Sequence, residues 1–184
     1  PLSSASKQAR FIEFWNETEL IERAQEVGVR VELALEAHGG QSLASLLADS
    51  TEQIRLVRQL AVLIEGRRAD GLHLNIEGVE SRQREAIVSF VARTRRLLDE
   101  HDPDLSLSIT LPPSDETARF DVAALDPVVD LFVMMGYGFN TRTNGPVAPL
   151  YPPTTAGGSS INSTVDLYLQ RGATDSKLLV AFPY

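Results

Sequence analysis

The chain of 184 residues carries a formal net charge of -8 and contains no cysteine. Disulfides, thiolate nucleophiles and cysteine-ligated metals are thereby excluded. The acidic balance also speaks against a nucleic-acid groove or an anionic membrane as the partner, since both require clustered Lys and Arg. No apolar run approaches the roughly 18 residues of a membrane span, and the polar stretch Pro1 to Arg10 lacks the apolar centre of a secretory leader.

Apolar runs and amphipathic stretches alternate along the chain. Thr18 to Val27 reads as a short helix stopped by Gly28, and Val29 to Leu35 as a strand ended by Gly39-Gly40. Ser50 to Glu65 is a longer helix with Ile54, Val57, Leu60 and Ile64 on one face. Gly71 to Ile76 is a strand, Arg82 to Glu100 a helix, and Leu105 to Leu111 a strand closed by Pro112-Pro113. Val122 to Leu125 is a helical turn and Leu131 to Met135 a nearly continuous apolar strand. Phe139 to Ser160, rich in Gly, Pro, Asn, Ser and Thr, is a long loop. Thr164 to Gln170 is a last helix and Lys177 to Phe182 a last strand. Strand–helix alternation of this kind predicts a parallel sheet with helices packed outside it. With no repeat or linker, residues 1–184 read as one domain.

The segment from Asp70 to Gly78 is the most informative. Side chains alternate along a strand, so Leu72, Leu74 and Ile76 share one face and His73, Asn75 and Glu77 the other. Three polar side chains in a row are unusual on a strand covered on both sides. Such a face is costly to bury unless its groups bond one another or meet a wet pocket. It is either a satisfied polar network or the wall of a site. Glu77 stands where the strand gives way to Gly78.

Four segments resemble glycoside hydrolase family 18. Asp70-Gly71-Leu72-His73-Leu74-Asn75-Ile76-Glu77 is similar to the fourth-strand signature Asp-Gly-x-Asp-x-Asp-x-Glu, with His73 and Asn75 where the family usually has Asp. Val133-Met134-Met135-Gly136-Tyr137-Gly138 is similar to the sixth-strand Met-x-Tyr-Asp signature, with Gly138 in place of Asp. Gly145 to Tyr151 is similar to the loop that follows, and Lys177 to Tyr184 to the start of the seventh strand. The resemblance implies an α/β protein, a (β/α)8 TIM barrel running from about the second strand into the seventh. A barrel lacking strands one and eight would leave two unpaired edges, open to self-association.

The resemblance further implies hydrolysis of β-linked N-acetylglucosamine glycans, chitin or peptidoglycan, by a substrate-assisted retaining mechanism without metal or cofactor. Glu77 would be the general acid and base, Asn75 would stand in for the Asp that orients the acetamide, and the Tyr137 hydroxyl would support the acetamido oxygen. His73 and Met135 would border the sugar. The alternative within the family is a glycan-binding barrel weakened in catalysis by Asn75 and Gly138. Substrates of this kind imply a secreted or cell-envelope location. Trp15, the only tryptophan, is a candidate sugar platform, as are Phe139, Tyr151 and Tyr184, whereas Phe14, Phe90, Phe132 and Phe182 are expected in the core. His38, at a strand end, could border the pocket. Arg93, Arg95 and Arg96 have the pattern of a solvated helix face.

Overall fold

The computed structural model describes residues 19–139, 145–152 and 158–183. After helix α1 (Leu20–Glu26) come strand β1 (Glu32–His38), helices α2 (Gln41–Ala48) and α3 (Ser50–Arg67), and strand β2 (Gly71–Glu77). Helix α4 (Arg84–His101) leads to β3 (Ser106–Leu111), the short α5 (Val122–Leu125) to β4 (Leu131–Met135), and α6 (Ile161–Gln170) to β5 (Leu178–Ala181). The strands form one parallel sheet in the order β1-β2-β3-β4-β5. This is a consecutive arc of barrel wall, and among the described residues it does not close. The expected strand before β1 would fall outside the described residues.

One face of the arc is apolar because the strand sequences alternate. Leu33, Leu35 and Ala37 of β1, Leu72, Leu74 and Ile76 of β2, and Leu107, Ile109 and Leu111 of β3 are buried with Phe132 and Met134 of β4 against the helices. Removing each large side chain of this set from water contributes about 1.5–3 kcal/mol before the entropy of ordering it. The other face carries Glu32, Glu36 and His38, then His73, Asn75 and Glu77, then Ser106, Ser108 and Thr110, then Val133 and Met135. The outer layer is sealed by polar clamps. Asp49 caps α3 by accepting from the backbone N–H groups of Thr51 and Glu52. Buried Gln53 of α3 donates to the carbonyls of Leu46 and Leu47 at the end of α2 and accepts from Arg93 of α4.

Several expectations need correction. β1 runs to His38 rather than ending at Leu35, because Ala37 still points into the core and only Gly39-Gly40 turn the chain away. Helix α2, unforeseen, has no side-chain cap and only two buried residues, Leu43 and Leu46. Arg95 is not on a solvated face: it pairs with Asp99 and, across to the residue before β4, with Asp130. Phe90 and Phe132 are fully buried as expected, but Phe182 is 61% exposed, since it follows the outermost described strand with nothing described beyond it. Phe14, Trp15 and Tyr184 lie outside the described residues.

Candidate active site

The two ends of β2 do different work. At its start, Asp70 accepts from the Val31 N–H at 2.7 Å and from Gln25 Nε2 at 3.1 Å, while its carbonyl accepts from the Ser106 N–H at 2.9 Å. The first residue of the motif is therefore a clamp that sets the lead-in of β1 and β3. It lies roughly 23 Å along an extended strand from Glu77. Gly71 is required beside it: a Cβ there would come within 2.1 Å of Ser106 Oγ. That space lets Ser106 Oγ donate to Glu32 Oε1 at 2.5 Å.

Midway along the strand, His73 is enclosed by hydroxyls. Its Nδ1 lies 2.7 Å from Ser108 Oγ and its Nε2 2.8 Å from Thr110 Oγ1. Ser108 donates its one proton to Glu32 Oε2, so it can only accept from the ring. Nδ1 therefore carries the hydrogen, and Nε2 accepts from Thr110. Both ring nitrogens are spent on the wall, leaving neither for a sugar. Burial lowers the His73 pKa from the usual imidazole value of 6.5, and Glu32 opposes that shift. A group that binds its proton less well folded than unfolded stabilises the fold above its unfolded pKa, and this contribution is lost as pH falls toward the folded one. Stability is thus expected to decline as pH drops below about 6.5. The check is thermal unfolding from neutral to mildly acid pH, in which His73→Gln should flatten the profile relative to the parent.

At the far end the chain opens into a site. Glu77 is exposed at the carboxyl end of β2, beside its register partner His38. A cavity of about 130 Å³ is lined by Glu77, Thr110, Pro112, Pro113, Arg119 and Met135, among others. Carboxyl ends of strands are where parallel barrels carry their chemistry. A wider groove of about 770 Å³ lies on the outer face of α3, around Ile54, Arg58 and Val62, and holds no comparable acid. Gly39 and Gly78 let the turns after β1 and β2 touch, since a Cβ on Gly39 would lie 2.4 Å from the Gly78 carbonyl oxygen. Gly78 itself has φ +67°, a conformation costly for other residues.

Asn75 sits between the His73 network and Glu77. Its Nδ2 lies 3.5 Å from Glu77 Oε1, a long contact, and its buried Oδ1 has no hydrogen-bond partner among the described residues. Tyr137 is half-buried two residues beyond Met135. Gly138, at the position that resembles an Asp site, has φ +79°, a conformation glycine adopts without steric cost. Phe139 packs against the core, and Tyr151 is exposed. The structure thus groups Glu77, Asn75 and Met135 with Thr110 and Arg119, the last two not singled out by the sequence. The alternation of Ser106, Ser108 and Thr110 was the available signal for Thr110.

The model of glycosyl hydrolases family 18 matches residues 3–184. No curated protein matches the chain. Among solved structures it is similar to catalytic domain 2 of the Group II chitinase of Ostrinia furnacalis, solved in complex with (NAG)5, at 20% identity and a TM-score of 0.85. That match covers 97% of this chain and 53% of the other. The chitinase domain of the Clostridium difficile spore coat protein CotE shares 17% identity at a TM-score of 0.82, covering 100% of this chain and 57% of that one. A family 18 N-acetylglucosaminidase from Paenibacillus barengoltzii shares 15% identity at a TM-score of 0.80, covering 93% and 56%. The chain spans about half the length of these structures. With the family model matching nearly its whole length and an α/β arc of barrel wall beneath that match, the chain belongs to glycoside hydrolase family 18.

Proposed function

We propose that the protein hydrolyses β-linked glycans containing N-acetylglucosamine, by a substrate-assisted retaining mechanism in which Glu77 is both acid and base. The observation that carries this is Glu77 itself, the carboxyl group that ends β2 and lines the cavity with Met135 and Thr110, in a chain of this family. Glu77 gives its proton to the glycosidic oxygen as the bond from that oxygen to the anomeric carbon breaks. The substrate's acetamido oxygen takes the vacated position and forms an oxazolinium ion. Water then attacks the anomeric carbon, the ring opens back to the acetamide, and Glu77 recovers its proton from the water. Asn75 orients the acetamide and Tyr137 steadies its oxygen. A substrate of this kind fits a secreted or cell-envelope protein.

A second reading is a glycan-binding barrel with little turnover. Asn75 favours it, because an amide supplies no charge to balance the developing cation. The two readings part on one measurement: release of a fluorescent aglycone from N-acetylglucosamine oligomers and from counterparts with hydroxyl in place of acetamide. Cleavage confined to the acetamido substrate is expected. Cleavage of both would remove the substrate-assisted step, and binding without cleavage would establish the second reading.

A further inference from the structure

The loop after β3 brings a guanidinium group to the cavity that holds Glu77. Its base is Asp115, fully buried, which accepts from the backbone N–H groups of Arg119 at 2.9 Å and Phe120 at 3.1 Å. Two guanidinium groups converge on this one carboxylate. Arg119 Nε donates to Asp115 Oδ1 at 2.9 Å, and Arg171 of α6 reaches the Asp115 carbonyl at 2.6 Å and Oδ2 at 3.5 Å. The nearby Asp121 carboxylate is taken by Arg84 at 2.8 Å. Arg119 and Arg171 thus share Asp115, and exposed Glu116 of the same loop balances their second charge, so what matters at the cavity is where the Arg119 guanidinium stands.

Arg119 is the member of the cluster that lines the cavity. Its Nε is held by Asp115 and its Nη2 by the Ser114 carbonyl at 2.7 Å, while its Nη1 has no hydrogen-bond partner among the described residues. The side chain is fixed at two nitrogens and free at the third. A planar guanidinium fixed in this way pays little further entropy to receive an anion.

We propose that Arg119 is a substrate-recognition residue for a carboxylate on a sugar next to the scissile bond. The substrate would then be a glycan of N-acetylated amino sugars in which one sugar is acidic, the chemistry of peptidoglycan rather than of chitin. This rests on the hydrolase reading of Glu77 and adds the substrate class to it. A wholly neutral glycan filling the cavity would cover the guanidinium without supplying an acceptor of matching charge.

The test is calorimetric binding to Glu77→Gln protein, where turnover does not interfere. The probes are peptidoglycan glycan strands freed of peptide, and the same strands with the sugar carboxyl reduced to an alcohol. The acidic strand is expected to bind on the order of tenfold or more tightly than the reduced one, the scale of a charge-assisted pair. Adding Arg119→Gln should bring the two within about twofold, as for a contact that no longer distinguishes charge. Arg171→Gln removes the other guanidinium from Asp115 and so disturbs the same buried cluster, but should keep the preference. Equal binding of the two strands by the parent overturns the assignment, as does loss of the preference in Arg171→Gln to the same degree as in Arg119→Gln. Failure of both strands and of N-acetylglucosamine oligomers to bind overturns the glycan reading, and the role of Arg119 with it.

Discussion

Glu77→Gln is expected to lower turnover of N-acetylglucosamine oligomers by about a hundredfold to ten-thousandfold, the range that a positioned general acid contributes. The thermal unfolding midpoint should stay where it is. Both halves follow from position. Glu77 is exposed at the last residue of β2, and its one described hydrogen bond is the 3.5 Å contact from Asn75. An amide of the same shape there removes no core packing and orphans no buried group, so the change in stability should be within about 0.5 kcal/mol. It does remove the ionisable proton, and among the described residues of the cavity wall no other acid of suitable strength is present: Thr110, Met135 and Arg119 are the other polar or polarisable neighbours. Turnover in a folded Glu77→Gln protein comparable with the parent would mean that the acid lies elsewhere.

The face of β2 was legible because period-two alternation is a local property. Leu72, Leu74 and Ile76 went to the helices and His73, Asn75 and Glu77 to the opposite side, as the spacing required. What His73 does there was not legible, since it depends on residues more than thirty positions away. Its partners Ser108 and Thr110, with Glu32 behind Ser108, come from two other strands, and only the parallel register aligns them. Arg119 was hidden for a similar reason. Its place on the cavity depends on a loop folded around buried Asp115 and pinned by α6, where Thr164 and Tyr168 donate to the Pro113 and Pro112 carbonyls at 2.7 Å. Helix α2 was missed because eight residues with two buried side chains carry a weak periodic signal and no cap. Phe182 misled through composition alone: an aromatic at a strand end suggests core, but burial needs a neighbour on that side.

Asn75→Asp is expected to raise turnover by on the order of a hundredfold, by restoring one preorganised electrostatic partner to the transition state. The orphaned oxygen gives the reason for a large gain. Asn75 Oδ1 is buried and has no hydrogen-bond partner among the described residues, while Nδ2 reaches Glu77 only at 3.5 Å, so the amide satisfies the site poorly on both sides. A carboxylate in its place would stand beside Glu77, and two close carboxyl groups resist ionising together. When the leaving group departs, the second carboxylate also balances the positive charge spreading toward the acetamide. The cost falls on stability. Glu36 is the register neighbour of position 75 on β1 and Glu77 lies two residues on, so the new charge enters an acidic stretch of wall, and the variant should unfold more easily as pH rises and both groups ionise. A paired measurement of turnover and unfolding midpoint across the neutral range separates these effects. A faster enzyme that loses stability toward alkaline pH supports the assigned role of position 75. An unchanged rate in a folded variant with the same loss of stability would show that the charge arrives but does not act on the reaction.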